Sequence, residues 1–125
     1  MSVVTRSRTS SPREKRSLLS FSGGDLSKVP REVVDAREAL IIDLSGNNLS
    51  TSGGDWAWRS LPDLRALYLS DNEMNSLPRT FENLSRLEVL NLQRNKQMRE
   101  IPRGIIHLQS LRELHLPKIY PYDID

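Results

Sequence analysis

The chain has 125 residues, 37% hydrophobic and 27% charged, which suffices for one small domain with a modest core and no second one. Its formal net charge of +2 is uneven: Arg6, Arg8, Arg13, Lys15 and Arg16 stand against Glu14 in the first 16 residues, leaving 13 basic against 15 acidic residues elsewhere. A body so close to neutral offers no phosphate-binding face for nucleic acid, and the absence of cysteine excludes disulfides, thiolate metal sites and thiol nucleophiles.

Residues 1–15 are rich in Ser, Thr, Arg and Pro, a composition expected to stay disordered. Within them Arg8-Thr9-Ser10-Ser11-Pro12 makes Ser11 a candidate phosphorylation site. The start lacks the apolar core of a signal peptide, and no apolar run approaches the ~18 residues of a membrane span. With no cysteine either, an intracellular compartment is expected. Two glycosylation sequons, at Asn48 and Asn83, are then coincidences of an Asn-rich pattern.

From residue 16 one spacing governs everything. Apolar residues at positions 1, 4, 6 and 11, with Asn at position 9, recur as Leu64, Leu67, Leu69, Asn72 and Met74. Ala39, Ile42, Leu44, Asn47 and Leu49 precede this copy, and Leu87, Leu90, Leu92 and Asn95 follow it. A degenerate first copy has Leu19, Phe21 and Leu26 with Gly24 in place of Asn, and a last copy has Leu111, Leu114 and Leu116. The sixth-position anchors Phe21, Leu44, Leu69, Leu92 and Leu116 lie 23, 25, 23 and 24 residues apart. A period of this length means stacked supersecondary units, each unable to bury its apolar residues alone.

The alternation within each copy predicts a short strand with its leucines turned inward. The Pro residues of Val29-Pro30, Leu77-Pro78 and Ile101-Pro102 then turn the chain onto a convex side of helical or 3₁₀ segments, packed through Val33, Phe81 and Ile105. The second repeat is two residues longer than the first, and Gly53-Gly54 reads as a flexible bulge before a short helix capped by Asp55. Trp58 falls at the inward position, and Trp56 is packed or exposed. Asn47, Asn72 and Asn95 predict a structural ladder in which amides satisfy backbone groups at the inner turn. Past Leu116, Pro117 and Pro121 break the pattern and Ile119 stands where Asn belongs, so 117–125 is an irregular segment or an improvised cap, with Tyr120 and Tyr122 over the last strand.

Catalytic constellations are missing from this pattern. His107 and His115 have no partner at metal-ligand spacing, no Ser lies in a nucleophile elbow, and Gly23-Gly24 and Gly53-Gly54 are isolated pairs without a phosphate-loop Lys. No enzyme, metal or cofactor is therefore expected. The outward strand positions remain. Stacking brings Ser20, Asp43, Tyr68, Asn91 and His115 into one column, and Leu18, Ile41, Ala66, Val89 and Glu113 into an apolar stripe beside it. Ser45, Ser70 and Gln93 lie further along. Tyr68 as an aromatic anchor beside apolar residues, rimmed by charge, is the composition of a protein-binding patch. The candidate site is Ile41, Asp43, Ala66, Tyr68, Val89, Asn91, Gln93, Glu113 and His115.

Residues 16–116 resemble the leucine-rich-repeat proteins, an α/β solenoid with short parallel strands on the concave face, 3₁₀ or short helical segments on the convex face and here about five repeats. Their Pro-containing 23-residue style is similar to the intracellular Ras group. Asn47-Asn48-Leu49-Ser50, the longer loop after it, Leu64 to Asn72 and Leu111-Arg112-Glu113-Leu114-His115 resemble the Ras-suppressor type in particular. That resemblance implies a monomeric, cytoplasmic, non-enzymatic adaptor in Ras signalling and at cell-matrix adhesions, bound through its repeats to a LIM-domain adhesion protein or a small-GTPase pathway component. The chain departs from that type in having fewer repeats and a basic, Ser-rich start. The alternative is a regulatory subunit that positions an enzyme such as a protein phosphatase.

Overall fold

A computed structural model describes residues 17–54 and 56–119. The basic tail with Ser11, the proposed cap Asp55, and residues 120–125 lie outside it. Five strands, β1 (Leu18–Ser20), β2 (Ile41–Asp43), β3 (Ala66–Tyr68), β4 (Val89–Asn91) and β5 (Glu113–His115), form one parallel sheet in sequence order. Parallel neighbours need a crossover of a dozen or more residues, which each repeat supplies on the convex side. There a short helix α1 (Arg31–Asp35) is followed by 3₁₀ turns at Thr51–Gly54, Ala57–Ser60, Arg79–Asn83 and Arg103–His107.

Strand pairing is in register by whole repeats: Ile42 opposes Leu67 and Asp43 opposes Tyr68, which in turn opposes Asn91. The ladder continues one residue beyond the strands, where Phe21, Leu44, Leu69 and Leu92 donate their N–H groups to the next strand's last carbonyl at 2.7–2.9 Å. These anchor side chains and the fourth-position leucines therefore stack into one continuous core, with Ile42, Leu44, Leu67, Leu69, Leu90 and Leu92 fully buried.

Pro30, Pro78 and Pro102 hold extended backbone immediately before the convex turns, as their fixed φ requires. Three residues on, Val33, Phe81 and Ile105 each donate back to the proline carbonyl. Val33 and Phe81 are buried, as is Trp58, whose ring meets Phe81 edge-on at 5.3 Å. Ile105 is only half-buried, because no described repeat stacks beyond it.

The long second repeat differs from the flexible bulge its glycines suggest. Thr51–Gly54 is a 3₁₀ turn docked on the first repeat, with the Gly53 carbonyl accepting from Val29 N–H at 3.0 Å. A Cβ on Gly53 would stand 2.7 Å from the Ser27 carbonyl oxygen, so glycine is there for close approach. The following turn starts after Trp56 with no side-chain cap, and Trp56 is 43% exposed.

Candidate functional site

The asparagines form one chain of hydrogen bonds through the inner turn. Each Nδ2 donates to the anchor carbonyl of its own repeat and to that of the repeat before: Asn47 to Leu44 and Phe21, Asn72 to Leu69 and Leu44, Asn95 to Leu92 and Leu69. Each Oδ1 accepts from the preceding repeat's backbone, Asn47 from Gly24 and Leu26, Asn72 from Leu49 and Asn95 from Met74. The carbonyls of Leu44 and Leu69 are thus shared between two amides. Buried groups that strand pairing leaves without partners are satisfied in this way, which fixes the spacing of the strands above them.

One position before each asparagine, and before Gly24 at the matching place in the first repeat, the backbone is left-handed, at Gly46, Asp71, Arg94 and Gly23 respectively. Glycine is the natural occupant of such a turn, and the two non-glycine residues are paired with one another. Arg94 Nε donates to both carboxylate oxygens of Asp71, at 2.9 and 3.0 Å. That hydrogen bond, aided by the nearby charges of Arg94 and Lys96, lowers the Asp71 pKa from its usual 3.8 and raises that of Arg94.

On the concave face the column Ser20, Asp43, Tyr68, Asn91, His115 stands beside Leu18, Ile41, Ala66, Val89, Glu113, one residue pair per strand. At about 4.8 Å per strand, Asp43 and Asn91 flank Tyr68 across roughly 10 Å. All three are half-buried. Asp43 and Asn91 each turn one side-chain oxygen onto the backbone N–H two residues on, Ser45 and Gln93, both at 2.9 Å. Those bonds fix the two side chains. Tyr68 is set between two oriented groups. In the adjacent stripe Ala66 carries a single methyl between Ile41 and Val89, so the row dips at the centre. Beyond the column, Ser70 and Ser45 share a hydroxyl hydrogen bond at 3.0 Å, with Gln93 next in line. At the C-terminal edge Glu113 and His115 engage one another at 2.6 Å.

Among the described residues the exposed large apolar ones, Trp56, Ile101 and Ile106, lie off this face. Among the described residues no group of three or more His, Cys, Asp or Glu is arranged to hold a metal ion. The arrangement can offer hydrogen bonds, one aromatic ring and a shallow apolar dip to a macromolecule.

Sequence reasoning did not reach two further features. Met98 fills the eleventh position of the fourth repeat, buried like Leu49 and Met74, one residue later than the pattern predicts. The extra residue in that 24-residue repeat was the available signal. A recess of about 610 Å³ lies beside the face, lined by Gln93, Arg94, Lys96, Leu116, Pro117 and Lys118.

The family model for leucine-rich repeats matches residues 37–96. A transforming growth factor beta activator, LRRC33 of Danio rerio, is 34% identical over 103 residues, covering 78% of this chain and 15% of the relative. Among solved structures, a chain of the BIR3–SERK2 complex of Arabidopsis thaliana aligns with a TM-score of 0.63 at 30% identity, over 79% of this chain and 54% of the other. A Leptospira interrogans leucine-rich-repeat protein aligns at 0.65 and 27% identity, over 90% of this chain and 30% of the other. The chain spans between 9% and 15% of the length of the curated relatives it matches.

Proposed function

We propose that this chain, which has the leucine-rich-repeat fold and matches that family's model over residues 37–96, acts as a non-enzymatic interaction module that docks a partner protein on its concave face. The observation that carries this reading is the column itself: Asp43, Tyr68 and Asn91 stand side by side on three paired strands, the outer two fixed by bonds to their own backbone. Side chains already ordered in the free protein lose little entropy on binding, and a central aromatic is the residue type that most often dominates such an interface. Ile41 and Val89, on either side of Ala66, give a partner's apolar side chain a place to sit.

A repeat architecture does not itself specify a partner, so the partner is to be read from this chain's own surface. Its loop and strand motifs, similar to the Ras-suppressor type, support a cytoplasmic adaptor with a LIM-domain partner.

The test is capture from cell extract by the full chain carrying a photo-crosslinking residue at Tyr68 or, on the convex side, at Arg79. Crosslinks from position 68 alone are expected, and Asp43→Ala with Tyr68→Ala should weaken capture by at least about tenfold. Crosslinks from 79 but not 68 would refute the concave site. Recovery of a LIM-domain protein supports the adaptor; recovery of a phosphatase catalytic subunit would instead favour a regulatory subunit.

A further inference from the structure

Along the rim that follows the concave strands, charge changes sign partway through the solenoid. Directly after the asparagine positions stand Asp25, Asn48, Glu73 and Lys96, and directly before them Gly23, Gly46, Asp71, Arg94 and Lys118. Backbone bonds from Gly23 to Ser45, Gly46 to Ser70 and Asp71 to Gln93, each 2.9 Å, carry the strand register into this rim and stack its residues in rows. The rim is therefore acidic up to the third repeat and basic in the fourth and fifth. In the basic part lies the recess of about 610 Å³, between Gln93, Arg94 and Lys96 of the fourth repeat and Leu116, Pro117 and Lys118 of the fifth. Arg94 is anchored by Asp71 through Nε, and its two Nη groups donate to no described residue. Lys96 and Lys118 are exposed and make no ion pair with any described residue. Half-buried Leu116 and buried Pro117 supply an apolar lining. Gln93 joins the recess to the binding column, because its N–H is held by Asn91 Oδ1.

We propose that this recess receives an acidic stretch of the partner protein docked on the concave face, its carboxylates at Arg94, Lys96 and Lys118 and an apolar side chain between them on Leu116 and Pro117. The inference rests on the concave docking reading and adds the partner's charge and direction: its acidic end lies over the fourth and fifth repeats, away from Asp25 and Glu73.

Three features select this occupant. A guanidinium anchored through Nε presents its remaining Nη donors already oriented, which suits a carboxylate, and the flexible ammonium groups beside it act as point charges that adapt to further ones. The apolar lining contributes nothing to a bare anion but gives a peptide side chain next to the charge a surface to cover. The change of sign along the rim limits the length of the acidic ligand. A nucleic-acid backbone or an anionic membrane surface would extend over Glu73 and Asp25 and be repelled there, whereas a short acidic stretch ends before them. Because the three cations are exposed, they act chiefly by speeding and orienting association, and salt weakens them.

The test is titration of the isotope-labelled full chain with the end-capped peptide Asp-Glu-Leu-Asp-Glu, followed by amide and side-chain shifts. Saturating shifts at Arg94, Lys96, Leu116 and Lys118 are expected. Affinity should fall at least about fivefold in Lys96→Gln with Lys118→Gln and stay unchanged in Arg79→Gln on the convex side. The peptide Asp-Glu-Gly-Asp-Glu should bind more weakly, and Asn-Gln-Leu-Asn-Gln should not bind. Absent shifts at the three cations, or affinity indifferent to the two lysines, would overturn the proposal. So would an equal response to Asp-Glu-Gly-Asp-Glu or to inorganic phosphate, which would mark an unselective anion patch. Lysine-dependent binding to vesicles of phosphatidylcholine and phosphatidylserine would also overturn it, in favour of a membrane surface. The crosslink from position 68 separates the two readings. Its loss with peptide binding intact overturns the concave docking and the shared partner, whereas its survival with peptide binding indifferent to the lysines overturns the recess alone.

Discussion

Replacing Asn72 by alanine removes the middle link of the amide chain, and the bonds around it set the cost. The Leu49 N–H loses its acceptor and is left buried without a partner, which costs about 1–3 kcal/mol. The carbonyls of Leu44 and Leu69 lose one donor each but keep the amides of Asn47 and Asn95, so each loss is an ordinary hydrogen bond of about 0.5–1.5 kcal/mol. A total of roughly 2–6 kcal/mol follows, a large share of the 5–15 kcal/mol typical of a domain. Asn95→Ala should cost at least as much, because its amide is the one donor described for the Leu92 carbonyl. Asn72→Asp separates the two halves of the amide's role: its carboxylate can still accept from Leu49 but turns an oxygen toward the Leu44 and Leu69 carbonyls. That environment raises the introduced carboxyl's folded pKa above its unfolded value, so the variant should lose stability as pH rises from about 4 toward neutrality. Urea unfolding followed by tryptophan fluorescence and far-ultraviolet dichroism measures all three. A loss below about 1 kcal/mol for Asn72→Ala, or an Asn72→Asp variant as stable as the parent at pH 7, would refute the shared-carbonyl account.

Gly53→Ala should destabilise by about 1–3 kcal/mol, since the Ser27 carbonyl oxygen that the new methyl meets is backbone and cannot rotate away; thermal unfolding checks it. Trp58→Phe should cost less than the 3–5 kcal/mol typical of aromatic truncation to alanine, because the buried Trp58 Nε1 has no hydrogen-bond partner and its removal offsets part of the lost packing; denaturant midpoints of Trp58→Phe and Trp58→Ala compare the two. The Asp71 carboxyl, held below its usual 3.8 by Arg94, contributes its pairing fully above the ordinary carboxylate range and loses it as pH falls through the lowered value. Carbon-detected titration should therefore show Asp71 as an early-ionising carboxylate in the parent and return it toward 3.8 in Arg94→Gln.

Whole-repeat register made the strand columns legible before any coordinates. Period-two alternation fixes which residues face outward, and a regular 23-to-25-residue spacing fixes which of them become neighbours, so Asp43, Tyr68 and Asn91 could be aligned from Leu44, Leu69 and Leu92 alone. The asparagine column was readable for the same reason. What escaped was set by backbone geometry that residue type does not reveal. Gly23 and Gly46 hint at a left-handed turn, but Asp71 and Arg94 occupy the same conformation and hide it. Gly53-Gly54 reads as flexibility from composition, whereas the reason for Gly53 is an oxygen 26 residues away in sequence. Cross-repeat side-chain links likewise depend on rotamers, as where the Thr51 hydroxyl donates to Asn75 Oδ1 at 2.7 Å and accepts the Ser76 N–H at 3.1 Å.

The amide chain also explains why two ends that look equally degenerate differ physically. Each asparagine serves the repeat before it, so Gly24 at the first asparagine position removes no link: Asn47 reaches back to Phe21, Gly24 and Leu26. Ile119 at the last such position removes one, because among the described residues no side-chain amide ties the fifth repeat to the fourth. That junction rests on strand pairing, on Ser110 donating to the Ser85 carbonyl at 2.7 Å, and on leucines that are half-buried. Local opening should therefore begin at β5 and spread inward. The binding column inherits the same gradient. Glu113 and His115 sit on the least secured strand, whereas Asp43, Tyr68 and Asn91 sit on strands paired on both sides and braced by amides beneath. A partner that engages the central three meets an ordered surface, and one that also needs β5 must order it first, at a cost subtracted from affinity.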